Sequence, residues 1–359
     1  MLPAIFTVAL AFVGVSFGAP ASLSKRLPGR VVQASTTAVI DPVGVYIRAT
    51  WAKDGSLIAG YAATDGTQHV LRTARSTDGG LTWAHQGEVY RADKTTHDID
   101  NAFPLQIPGG RILYAYRNHD RPNGSQYTYY RITISYSDDN GATFKYLSTV
   151  AQRAASGVNG LWEPFLRVAN DGSLQCYYSG ENAANDQDGY MRQSLDGGKT
   201  WSSPITVSGA GVTSRDGMIG VAKIDNKGNL MAVFENTESG FFSIDYVRSH
   251  DDGKSWGERG RLYTAANGGQ AIAPQITNVA GTLVASFMTD ESIGDTGADG
   301  GQMKVITSTD GGKSWGSSVV TGNVASHWPG LFTRDSTHFL ALYSKNGLGA
   351  VSQVYELEN

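Results

Sequence analysis

Two short segments carry the residues best suited to chemistry, Leu161-Trp162-Glu163-Pro164-Phe165 and Val233-Phe234-Glu235-Asn236. Each sets one glutamate among aromatic and apolar neighbours, and 72 residues separate the two. Two carboxylates on opposite sides of a glycosidic bond can protonate the leaving oxygen and attack the anomeric carbon. That chemistry requires elements that bring both to one place.

The elements show themselves as repeats. An octapeptide, Ser76-Thr-Asp78-Gly-Gly80-Leu-Thr82-Trp83, returns at Ser137–Phe144, Ser194–Trp201, Ser249–Trp256 and Ser308–Trp315, at serine-to-serine spacings of 61, 57, 55 and 59. Its chemistry is that of a hairpin turn, in which aspartate accepts from loop amides, glycine supplies positive φ and the aromatic ring packs beneath. These aspartates are structural. A second pattern, a turn followed by a mostly apolar run, occurs six times, ending at Tyr61, Tyr116, Tyr178, Phe234, Phe287 and Tyr343. Such runs suit strands buried on both faces.

Six inner hairpins against five octapeptides, at four strands per blade, predict an all-β, six-bladed β-propeller. The chain ends before a fourth strand of blade 6, and Val31 to Ile40 is expected to supply it and close the ring. Strand 1 of each blade leaves one rim and strand 2 returns to it, so Glu163 at the start of one and Glu235 at the end of the other share that rim. At the place of Glu235 the other blades carry Ala62, Arg117, Ser179, Met288 and Ser344, so acidity is not a general blade feature. The alternative for Glu235 is a structural carboxylate paired with Arg117, Arg215 or Arg48. For Glu163 it is an exposed loop residue.

Three tryptophans outside the octapeptides, Trp51, Trp162 and Trp328, lie on first strands and suit stacking on sugar rings, core packing being the alternative. Arg48, Asn101, Asn118, Asp216 and Tyr343 are the polar residues expected to line the site with them. Histidines are scattered, and neither the Asp295–Asp299 loop nor Asp186 and Asp188 has ligand spacing of an EF-hand type, so neither metal nor cofactor is expected. Cys176, the only cysteine of 359 residues, lies in an apolar strand and excludes an intramolecular disulfide.

Formal net charge is −4, without a basic block that would suit nucleic acid or an anionic membrane. The apolar run Leu2 to Phe17, the small residues after it and Lys25-Arg26 read as a signal peptide and short propeptide over 1–26. Residues 27–359 then form a single catalytic domain, secreted and monomeric. Asn123-Gly124-Ser125 is an N-glycosylation triplet.

With its blades, its octapeptides (which resemble the Asp box of sialidases) and its two glutamates, the mature chain resembles the fungal exo-1,5-α-L-arabinanases of glycoside hydrolase family 93. The resemblance implies retaining hydrolysis of linear α-1,5-arabinan from a chain end, with release of arabinobiose. Carried over by position, it implies Glu163 as acid/base, with the higher pKa of the pair, and Glu235 as nucleophile. A sialidase with Tyr343 and Arg48 in its tyrosine and arginine roles is the rival. It lacks a Phe-Arg-Ile-Pro segment and any arginine between Arg261 and Arg334. A non-catalytic glycan-binding propeller is the other.

Overall fold

The computed structural model describes residues 29–294 and 300–358. The expected signal peptide and propeptide and the Asp295–Asp299 loop lie outside the described residues. Five four-stranded antiparallel sheets follow one another along the chain, beginning with strands Gly44–Trp51, Leu57–Asp65, Gln68–Ser76 and Ala84–Asp93 of blade 1. Blades 2 to 5 start with the inner strands His97–Gln106, Leu161–Val168, Gly217–Lys223 and Ala271–Val279. Blade 6 contains Ser326–Thr333, His338–Lys345 and Gly349–Glu358. Its outer position is filled by Arg30–Gln33 and Ala38–Asp41, both antiparallel to Gly349–Glu358. The closure expected of Val31 to Ile40 is present, in two short pieces. Inner strands of neighbouring blades pack side by side around the ring, blade 6 against blade 1 included.

Local chemistry explains the blades. Second strands such as Leu57–Asp65 and Leu230–Asn236 open with five consecutive buried residues, since sheet neighbours flank them and adjacent blades cover both faces. In each octapeptide turn the aspartate gathers the loop: Ser76 Oγ donates to Asp78 Oδ1 at 2.7 Å, and Thr82 donates from both N–H (3.0 Å) and hydroxyl (2.5 Å). These donors hold the Asp78 carboxyl down at about 2 although burial opposes them. Gly80, at φ +93°, adopts a conformation that L side chains rarely take.

One feature of the ring has direct consequences for the site. Every inner strand breaks register near its start, and each break holds one non-glycine residue in the left-handed region. These are Tyr46, Asn101, Glu163, Met218, Ala273 and Trp328, all with φ between +52° and +57°. Such a bulge re-aims a side chain, and holding an L-residue there costs about 1 kcal/mol or more. Tyr46, Met218, Ala273 and Trp328 meet one another in a single apolar cluster, although they come from four blades. The six bulge residues therefore form a ring around the axis.

Candidate active site

Glu163 is the bulge residue of blade 3, half-buried, with its carboxylate turned towards blade 4. Its Oε2 accepts from Met218 N–H at 3.0 Å and from the Ser179 hydroxyl at 3.2 Å. Glu235 closes the second strand of blade 4, also half-buried, and its Oε2 accepts from Ala273 N–H at 2.7 Å. Ser344 Oγ in turn accepts from Tyr46 N–H at 3.1 Å. Ser179 Oγ likewise accepts from Met218 N–H at 3.2 Å, so at three blade junctions a side chain at the end of strand 2 satisfies the N–H exposed by the next blade's bulge. Glu235 has this structural duty besides any chemical one.

Neither glutamate forms an ion pair among the described residues, so the pairing of Glu235 with Arg117, Arg215 or Arg48 is not what holds it. Arg117 is paired with Asp98 at 3.1 Å, and Arg215 with Glu181 at 2.8 Å. Burial raises both glutamate pKa values above the ordinary 4.5, and Glu235 is pushed up to about 8, its second cause being the charge of Glu163. Glu163 is better stabilised as the anion, by Met218 N–H, Ser179 and the charge of Arg117. Both carboxyls thus stand above the usual carboxylate range, with more donors facing Glu163 than Glu235. The resemblance implies the higher pKa on Glu163, whereas the donors that favour its anion come from other strands.

Gly217 faces Glu235 across the first two strands of blade 4. A methyl there would stand 3.2 Å from Glu235 Oε1 and 2.5 Å from Gln187 Nε2, while Met218 next in sequence donates to Glu163. Gly217→Ala is expected to lower kcat/KM by about 100-fold through displacement of Glu235, since misplacement by an ångström has that scale. The unfolding midpoint should move little, because the atoms in the way are ends of flexible side chains. Loss of stability in proportion to activity would assign the glycine to folding instead.

The structure separates the other expected residues. Asn101 and Trp328 belong to the bulge ring. Arg48 lies just past the bulge of blade 1, 2% exposed, with its guanidinium 4.2 Å from the centre of the Tyr46 ring and Nη1 donating to Ile47 O. Trp162 turns away from its neighbour Glu163 into the junction with blade 2, where it packs on His119 (5.1 Å), Tyr127 and Tyr130 (5.8 Å each) and beneath Arg117. Asn118 points away from that junction, because Arg117 and His119 on either side of it both face Trp162. Trp51 stands at the far end of its strand, edge-on to Phe332 and beside a cavity of about 640 Å³ on the opposite face. Asp216 is fully buried and holds Arg259 through both oxygens, at 2.5 and 3.1 Å. Tyr343 packs with Met288, Met303 and Val351 between blades 5 and 6. Substrate contact expected of Trp51, Trp162, Asp216 and Tyr343 is thus corrected: Trp162 is turned into a junction, Asp216 and Tyr343 are buried, and Trp51 is on the other face.

Tyr46, Ser179, Gly217, Met218 and Ala273 were not among the expected residues. A signal existed, since the bulge positions 163, 218, 273 and 328 recur every 55 residues. Apolar residue types hid it. Among the described residues no group of three or more His, Cys, Asp or Glu side chains could hold a metal ion. Cys176 is buried in the core, and burial pushes its thiol far up.

No protein-family model and no curated protein matches the chain. Solved structures do. The α-L-arabinanase of Penicillium chrysogenum complexed with arabinobiose is 21% identical, with 92% of this chain and 98% of that one covered at a TM-score of 0.68. The family 93 α-L-arabinofuranosidase of Fusarium graminearum with arabinobiose is 20% identical over the same shares, also at 0.68. A Hadza microbial sialidase is 18% identical, covering 88% of this chain and 66% of that one at 0.63. At these identities the likeness shows the propeller fold.

Proposed function

We propose that the protein is a glycoside hydrolase that cleaves linear α-1,5-L-arabinan from a chain end with retention, releasing arabinobiose. The observation that carries the reading is the geometry of the pair: Glu163 and Glu235 stand half-buried on one rim, each accepting from the N–H of the next blade's bulge, and burial raises both pKa values. Two structural neighbours bound to arabinobiose support the substrate class. Glu235, raised by burial and by the charge of Glu163, is the donor to the leaving oxygen, and Glu163, whose anion Met218 N–H and the Ser179 hydroxyl favour, attacks the anomeric carbon. Glu235 then takes a proton from the water that releases the glycosyl-enzyme. This exchanges the two roles implied by the resemblance. Arg117 and Arg215, already neutralised by Asp98 and Glu181, are poor anchors for a substrate carboxylate, and Tyr343 is in the core, which weighs against the sialidase rival. The N-terminal segment suits an enzyme that meets its polymer outside the cell.

Debranched α-1,5-arabinan incubated with the enzyme should yield arabinobiose alone at early times. A ladder of longer products would refute the exo mode, and no release of sugar would refute the substrate. The pH dependence follows from the pair. Glu235 must be protonated, so kcat/KM is expected to fall as pH rises through about 8. Glu163 must be ionised, so the acid limb should lie above 4.5, its ordinary value. An alkaline limb that survives in Glu235→Gln would show that another group donates the proton.

A further inference from the structure

We propose that a cavity between blades 6 and 1 is a second carbohydrate subsite, which holds the part of the chain beyond the cleaved bond. This rests on the functional reading above and extends it to the path of the polymer. The cavity has a volume of about 380 Å³ and lies on the same rim as the glutamates, between the 42–45 turn, Trp328 and the 344–349 turn. Trp328 both lines it and belongs to the bulge ring. Trp328 packs on Tyr46 at 6.2 Å between ring centres and joins Met218 and Ala273 in the apolar floor. Those two residues donate to Glu163 and Glu235. A chain with its scissile bond at the pair would cross this floor to reach Trp328 in blade 6.

The occupant is identified by the lining. No acidic side chain borders the cavity, and its one lysine, Lys345, donates Nζ to the carbonyls of Asn323 and Val324. The rest of the lining is Trp328, two valines, Pro42, Ser344, Asn346, backbone and His327, whose Nε2 lies 3.2 Å from Asn346 Oδ1, a surface of one ring, small apolar groups and neutral hydrogen-bonding groups suited to a neutral sugar. The loops around it also expose apolar side chains: Val43 at 52%, Leu348 at 42%, Val324 at 40% and Val45 at 37%. Four such residues at one corner of a rim mark a binding surface better than isolated exposure would. The openness of Val43 to solvent leaves a way out for a chain of any length.

The test is affinity against chain length, measured by calorimetry on Glu163→Gln, with α-1,5-arabino-oligosaccharides from the disaccharide to the hexasaccharide. Affinity is expected to rise by roughly tenfold once the chain reaches Trp328, the scale of one stacked ring. Adding Val43→Arg, which places a long cation in the cavity from an exposed position, should remove that gain and spare the affinity for the disaccharide. Trp328→Ala should remove it as well. A gain with length that persists in both variants, or no gain at all, overturns the subsite while leaving the glutamate pair intact. Absence of binding at every length, together with no turnover by the unaltered enzyme, overturns the functional reading and the subsite with it.

Discussion

Glu163→Gln and Glu235→Gln are each expected to lower kcat on α-1,5-arabinan by about 10³-fold or more, with the fold retained. Proton transfer by one placed carboxyl is worth about 10²–10⁴, and removal of a nucleophile abolishes the covalent route altogether. The two variants should differ with the leaving group. An aryl arabinobioside whose phenol departs without protonation dispenses with the donor in the first step. Glu235→Gln should then still form the glycosyl-enzyme, seen as a burst of phenol, and added azide should speed its release. Glu163→Gln should show no burst. A burst in Glu163→Gln instead would restore the assignment implied by the family resemblance. Loss of both with either substitution, accompanied by a lower unfolding midpoint, would point to the structural duty of Glu235 towards Ala273 N–H.

Asp216→Ala should cost about 3 kcal/mol of stability, the scale for breaking a buried pair from one side. The carboxylate is fully buried and bidentate to Arg259, whose guanidinium also faces Asp245 at 3.3 Å and Glu238 at 3.6 Å. Removing Asp216 leaves that cation with its more distant partners and takes an acceptor from the loop before Gly217. Denaturant unfolding reads the stability, and KM reads the other possibility. A direct sugar ligand would raise KM at unchanged stability, which is the role its place in the sequence suggested. Lower stability at unchanged KM is the expected result.

How much was legible in the sequence follows from what each feature depends on. The octapeptide turns are local: serine, aspartate, glycine and threonine within eight residues make their own hydrogen bonds, so five copies read directly as turns. The six apolar second strands are local too, and their count against five turns gave the six-bladed ring and its closure by the N-terminal strand. Topology alone then put Glu163 and Glu235 on one rim. Which neighbours face the axis was not legible. Each inner strand carries a bulge, and a single extra residue reverses the alternation of side chains on either side of it. That break turns Glu163 to the funnel and Trp162 into the junction with blade 2, whereas Trp51 reaches the far face because it ends its strand. The donors that face the carboxylates were equally hidden. They are Met218, Ser179 and Ala273, 16 to 55 residues away in sequence, which only the closing of the ring brings within reach. Sequence by itself determined the repeat, the ring and the rim, because turns and buried strands are written in neighbouring residues. Tertiary structure decided the aim of the carboxylates and the donors that face them, because bulges and neighbouring strands set both.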